Sequence, residues 1–131
     1  MAPLTVTGDT SRAGARCPSS WQGGPGIAHG GWVAAVLDDF AGRTMTGTET
    51  FVVTGTLNVT YLRPTPVEED LVLTGTRHPD GERRWRVTAH LHLAVAPDAP
   101  LAELVAMMIE PRPGHYQRHV ERMTAMRGAA D

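Results

Sequence analysis

Apolar residues recur along this chain at two different periods, and the change of period divides it. From Trp32 onward, Val33, Val36, Leu37 and Phe40 fall at helical intervals with alanines between them, and Gly42 supplies a stop. This spacing predicts a mostly buried helix over 31–42. After it the period drops to two. In Thr50–Tyr61 the odd positions are Phe51, Val53, Gly55, Leu57, Val59 and Tyr61, while the even ones are Thr50, Val52, Thr54, Thr56, Asn58 and Thr60. That is a strand with one packed face and one hydroxyl-rich face. Pro64 and Pro66 end it, because proline cannot donate to a ladder.

Leu71–Thr76 reads as the next strand, and His78-Pro-Asp-Gly81 as the turn after it. Arg83–Val95 alternates again, with Trp85, Val87, Ala89, Leu91, Leu93 and Val95 on one side. Pro97–Pro100 is a break, and Leu101–Glu110 is a fourth strand, followed by a polar helix over His115–Arg127 within the tail 112–131. Upstream, residues 1–20 are weakly patterned apart from a short strand near Arg12–Cys17. The segment Gln22–Gly31 is so rich in glycine that it reads as irregular. One helix followed by four strands on short connections predicts an α+β domain over 1–131. Its consecutive strands pair antiparallel, and the sheet wraps around the single helix. Such a domain has an open sheet edge and a limited core, and dimerisation through that edge would relieve both.

Composition narrows the function classes. The chain has 131 residues and a net charge of −2, which removes the broad attraction that nucleic-acid and anionic-membrane binders use. Cys17 is the single cysteine, so neither a disulfide framework nor a thiolate metal cluster can form within one chain. No stretch approaches the ~20 apolar residues of a membrane span, and the first residues lack a signal-type apolar region, so the expectation is a soluble cytoplasmic protein. All 12 cationic side chains are arginines, which leaves no lysine for a base or a Schiff base.

The densest chemistry lies in Pro25-Gly-Ile-Ala-His-Gly-Gly-Trp-Val-Ala-Ala-Val-Leu-Asp38. Gly30 and Gly31 at a helix entrance let a ligand approach backbone N–H groups that lack intrahelical partners. With the helix dipole, those donors suit a developing oxyanion, and His29 stands at the lip. Asp38 lies inside an apolar helix, where a carboxylate needs a partner. A structural reading is equally open: packing glycines, a capping histidine and a paired acid. Asp38 is eight residues beyond Gly30, roughly 12 Å at ~1.5 Å per residue. One small substrate group cannot touch both ends of that helix in one chain. A site using both ends therefore requires a second copy related by a twofold axis.

The segment Gln22-Gly-Gly-Pro-Gly-Ile-Ala-His-Gly-Gly with a helix reaching Asp38, and then Val53-Thr-Gly-Thr-Leu-Asn-Val-Thr-Tyr-Leu-Arg-Pro-Thr-Pro66, resembles the hotdog-fold acyl-CoA thioesterases. The likeness is to the phenylacetate-pathway type and the thioesterase-superfamily-member group, over roughly residues 12–110. It implies an antiparallel sheet wrapped around one long central helix, and a homodimer that can pair further into a tetramer. It also implies hydrolysis of an acyl-CoA or acyl-carrier-protein thioester, with no cofactor. By the same resemblance Asp38 matches a general base or nucleophile, and Gly30 the glycine whose N–H polarises the carbonyl. His29 matches a histidine that helps to position that carbonyl, and Thr54 a residue that orients water. Where some members carry an asparagine this chain has Gly23, with Gln22 beside it as a replacement.

Other candidates carry less. Asp39 points about 100° away from Asp38 on a helix and reads as a surface ion-pairing acid. Gly31 borders the site, and Trp32 reads as core or interface, with a wall of the acyl pocket as the alternative. Arg63, Arg83 and Arg84, with Arg86 and the tail residues Arg112, Arg118 and Arg122 as further candidates, offer guanidiniums to the phosphates of coenzyme A. His90 and His92 share a strand face, but without a third ligand they read as polar surface, not a metal site. Two other function classes compete. A hotdog hydratase or dehydratase is disfavoured because Ile27-Ala-His lacks the glutamate of that helix. A non-catalytic ligand-binding domain is disfavoured by the intact His29, Gly30, Asp38 and Thr54.

Overall fold

The computed structural model describes residues 3–130. Its elements run β1 (Thr5–Thr7), β2 (Thr10–Ala15), β3 (Gln22–Gly24), β4 (Ile27–Ala28), α1 (Gly30–Arg43), β5 (Val53–Tyr61), β6 (Leu71–Pro79), β7 (Arg84–Leu93), β8 (Ala102–Ile109) and α2 (His115–Ala130). Six strands form one antiparallel sheet in the order β1-β2-β6-β7-β8-β5, and α1 packs across β5 to β8. Among the described residues no helix is long and apolar enough to cross a membrane.

The helix, the four long strands and the C-terminal helix lie where the periodicity puts them. α1 buries Val33, Leu37, Phe40 and Ala41, an i, i+4, i+7, i+8 stripe. They meet Leu73, Val87, Ala89, Leu91, Leu104, Ala106 and Met108 from the concave face of the sheet. Ala35 and Asp39 on the other side of α1 are exposed, so one face is buried and not most of the helix. Phe40 fits because β6 has glycine opposite it. A Cβ on Gly75 would stand 2.8 Å from the Phe40 ring and 2.9 Å from the Thr88 carbonyl.

Four expectations are corrected. First, Gln22–Gly31 contains the hairpin β3–β4, with Gln22 opposite Ala28. Pro25-Gly26 makes its turn, and Gly26 has the positive φ (73°) that the residue after proline takes in a type II turn. Second, β5 does not neighbour β6. It pairs with β8 at the sheet's edge, while β6 pairs with β2 and β7. The intervening segment is held elsewhere: Ala28 N–H donates to the Thr65 carbonyl, Val67 N–H to Gly26 and Glu68 N–H to Cys17. Those bonds tie it to the approach to α1. Third, β6 continues through His78 and Pro79, and the turn falls at 80–83. The neighbouring Asp80 N–H bonds to the Arg84 carbonyl, so the Pro79 position facing Trp85 directs its missing N–H toward the β2 side. Pro79 is tolerated there because β2 pairs no further than Thr76. Fourth, Val95 lies beyond β7 and is 90% exposed.

Candidate active site

Thr54 does not share a face with Thr56, Asn58 and Thr60. A bulge at Gly55 breaks the alternation: Thr54 stands opposite Met108, whereas Thr56 stands opposite Met107. Residues paired across a ladder share a face, so the extra residue turns Thr54 toward the helix. The hydroxyls beyond it face the other way. A Cβ at Gly55 would lie 2.5 Å from Ile109 Cδ1 and 3.2 Å from the Met107 carbonyl, so a larger residue there would make the Ile109 side chain shift. Thr54 Oγ1 donates to Asp38 Oδ1 at 2.7 Å. The half-buried carboxylate therefore has its partner, and its second oxygen accepts no hydrogen bond from the described residues.

At the other end of α1, His29 is the N-cap in extended conformation, and its Nδ1 accepts the Gly31 N–H at 2.8 Å. A side chain on Gly31 would crowd that ring, since its Cβ would stand 3.0 Å from Nδ1. Trp32 and Val33 N–H groups return to the His29 carbonyl. The cap therefore uses the N–H groups of Gly31, Trp32 and Val33, and that of Gly30, the first helical residue, has no acceptor among the described residues. The Gly30 carbonyl accepts from Tyr61 Oη at 2.7 Å. Pattern reading placed Tyr61 as one more odd-numbered strand residue and missed it. The adjacent Gly30, a residue suited to close approach, was the available signal.

Thus β5 is bonded to both ends of α1, by Thr54 at Asp38 and by Tyr61 at Gly30. The structure brings together Asp38 with Thr54, and His29 with Gly30 and Gly31. It does not bring one group to the other within the chain. Asp39 is bonded to Arg43 at 3.1 Å, one turn on, as an exposed ion pair. Gln22 Oε1 accepts the Gly26 N–H at 3.1 Å and so holds the β3–β4 turn. Trp32 shares the Asp39 side of α1 and lines a hollow with Arg16 and Val36, away from Asp38.

Arg63 donates to the Pro100 carbonyl and braces that loop. Arg83 (φ 57°) and Arg84 line an open hollow of about 380 Å³ with Arg112, His115, Glu82 and Glu110. Ile109, Pro111 and His115 also border a second hollow of about 420 Å³, which reaches Val53, Thr54 and Gly55. His92 is occupied, with its ring nitrogens at Thr74 Oγ1 and the Leu93 carbonyl. Burial, and secondarily the Glu68 carboxylate, push the Cys17 thiol up, so it does not supply a thiolate nucleophile. The Ser19 N–H, followed by Arg16, holds the Glu68 carboxyl below its usual range.

The family model of the thioesterase superfamily matches residues 25–77, which span the β4–α1 entry, α1, β5 and most of β6. No curated protein matches the sequence. Among solved structures, a thioesterase superfamily protein is 26% identical with a TM-score of 0.72, covering 81% of this chain. This chain spans only 54% of that protein's length. A hypothetical thioesterase with coenzyme A from Streptococcus pneumoniae is 15% identical, with a TM-score of 0.74 over 82% of this chain and 86% of its own. The PaaI protein of the Escherichia coli phenylacetic acid degradation operon is 12% identical, with a TM-score of 0.71 over 79% and 74%.

Proposed function

Since the chain has the hotdog fold and a thioesterase-superfamily match over α1 and β5, we propose that it hydrolyses an acyl-CoA or acyl-carrier thioester in a site shared by two copies. The contact of Thr54 Oγ1 with Asp38 Oδ1 carries this reading, because it sets a hydroxyl beside a carboxylate with one oxygen still open. A water that donates to that oxygen and to Thr54 Oγ1 has its lone pair free for the carbonyl carbon. As the carbon–oxygen bond forms, the proton passes to Asp38. The oxyanion collects on the Gly30 N–H of the second copy, near His29. Collapse breaks the carbon–sulfur bond, and the proton returns to the thiolate, giving acid and thiol.

The helix geometry supports the second copy, and so does β5. It is an edge strand whose helix-facing Leu57 and Tyr61 are 37% and 54% exposed, so this chain alone leaves them partly uncovered. Complementation tests the shared site. His29 precedes Gly30 with ψ at 137°, a conformation that proline permits in the residue before it, and proline is accepted at a first helical position. Gly30→Pro then removes the N–H with little else. Mixed and re-equilibrated with Asp38→Asn, it should restore thiol release to about a quarter of wild type per site. Half of random dimers are mixed, and each holds one intact site. No rescue, with heterodimers confirmed by native mass spectrometry, overturns the shared site.

The two hollows share Ile109, Pro111 and His115 in their linings and the second borders Thr54, which favours a course for the substrate's carrier along this edge toward Arg83, Arg84 and Arg112. The substrate's phosphates would sit there, and Arg63 would serve the loop. Replacing Arg83 and Arg84 by alanine should raise KM for a CoA thioester about three- to tenfold, by loss of charge-assisted bonds. KM for the matching acyl-pantetheine, which lacks the nucleotide, should stay unchanged. Equal effects on both substrates would remove the arginines from recognition.

A further inference from the structure

The hydrogen bonds at the start of α1 form one connected line. Tyr61 Oη donates to the Gly30 carbonyl at 2.7 Å, and the Gly31 N–H, in the same peptide unit, donates to His29 Nδ1 at 2.8 Å. That peptide is gripped from both sides. An imidazole whose Nδ1 accepts carries its proton on Nε2 when neutral, so the line ends in a donor. We propose that Tyr61 is a positioning residue for the thioester carbonyl, holding the Gly30–Gly31 peptide and polarising it toward His29. The mouth of α1 then presents two donors, the Gly30 N–H and the His29 Nε2–H. This rests on the hydrolase reading of the same site.

Two physical reasons make the bond matter. Adjacent glycines carry the largest backbone entropy of any pair, and here they begin the helix whose first N–H is to meet an oxyanion. Fixing the peptide between them removes that freedom before substrate arrives. Bonds in a line also polarise one another, so the Tyr61 hydroxyl strengthens the hydrogen bond that Nδ1 accepts and the one that Nε2 can donate. The ring contributes separately, since a Cβ on Gly30 would lie 3.6–3.7 Å from Tyr61 ring and hydroxyl atoms.

Tyr61→Phe keeps the ring and deletes only the hydroxyl. Tyr61 is 54% exposed, so the variant folds without a buried cavity. Loss of one bond in a coupled line should lower kcat about five- to tenfold, with KM within about twofold. Nitrogen-15 NMR gives a readout that does not depend on activity. In the wild type His29 should show an accepting Nδ1 and a protonated Nε2. In the variant both nitrogens should move toward a tautomer mixture, and the Gly31 amide proton should shift upfield. A fall in kcat with His29 unmoved, or movement without a fall in kcat, overturns the proposal, as does a change confined to KM. If the wild type releases no thiol, the hydrolase reading fails by itself, and the NMR comparison still decides whether Tyr61 sets the His29 tautomer.

Discussion

Asp38→Asn is expected to fold and associate as the parent does while losing thioester hydrolysis by roughly two or more orders of magnitude. The amide has the shape of the carboxylate and still accepts from Thr54 Oγ1 through its carbonyl, so the local structure has little reason to change. What it lacks is the charge and the basic oxygen that takes the proton from water. The measurement is free-thiol release from a panel of acyl-CoA thioesters, with circular dichroism and native mass to show an unchanged fold and assembly. Turnover like that of the wild type would remove Asp38 from the chemistry. Asp39 would not inherit the role easily, because its carboxylate is held by Arg43 on the far side of the helix.

The second large effect concerns stability. A Cβ on Gly75 would come within 2.8 Å of Phe40 Cε1, 2.9 Å of the Thr88 carbonyl and 3.0 Å of Ala89 Cβ. Two of these neighbours cannot swing aside, one being sheet backbone and the other a short side chain on the paired strand. Gly75→Val is therefore expected to cost about 3 kcal/mol or more, at or above the top of the usual range for overpacking. Urea unfolding at fixed protein concentration measures it. Pairing Gly75→Ala with Phe40→Leu should recover part of the loss, because the shorter side chain withdraws from the new methyl. A cost below about 1 kcal/mol for the valine variant would show that α1 is not pressed onto β6 here.

Period suffices to locate α1 and β6 to β8, because a half-buried helix and a half-buried strand leave different spacings of Val, Leu and Phe. Strand order is not written in period. Residues 62–70 could have closed a hairpin between β5 and β6, but their backbone groups bond to Cys17, Gly26 and Ala28 instead, contacts that no local pattern reports. The candidate site divides in the same way. The placing of His29, Gly30 and Asp38 on one helix follows from the spacing. Thr54 reaches Asp38 only through the bulge at Gly55, a shift of register against β8 far along the chain that no local spacing reports. Tyr61 escaped notice because half the strand's residues look alike until one knows which helix end lies beneath them.

The pairing of β5 with β8 also sets an order of assembly. Val53 meets Ile109, about 55 residues later, with β6 and β7 made in between. A chain emerging from the ribosome at roughly 5–20 residues per second therefore holds α1 for several seconds, and β7 for about one to three, before β8 is complete. The hairpin β6–β7 closes a short loop, whereas β5 must wait for a long one. Thr54 and Tyr61 reach the two ends of α1 only when β5 docks on β8. A chain broken off before β8 lacks the strand that β5 pairs with and the Leu104, Ala106 and Met108 side chains of the core, so neither hydroxyl has the support that sets it at its partner.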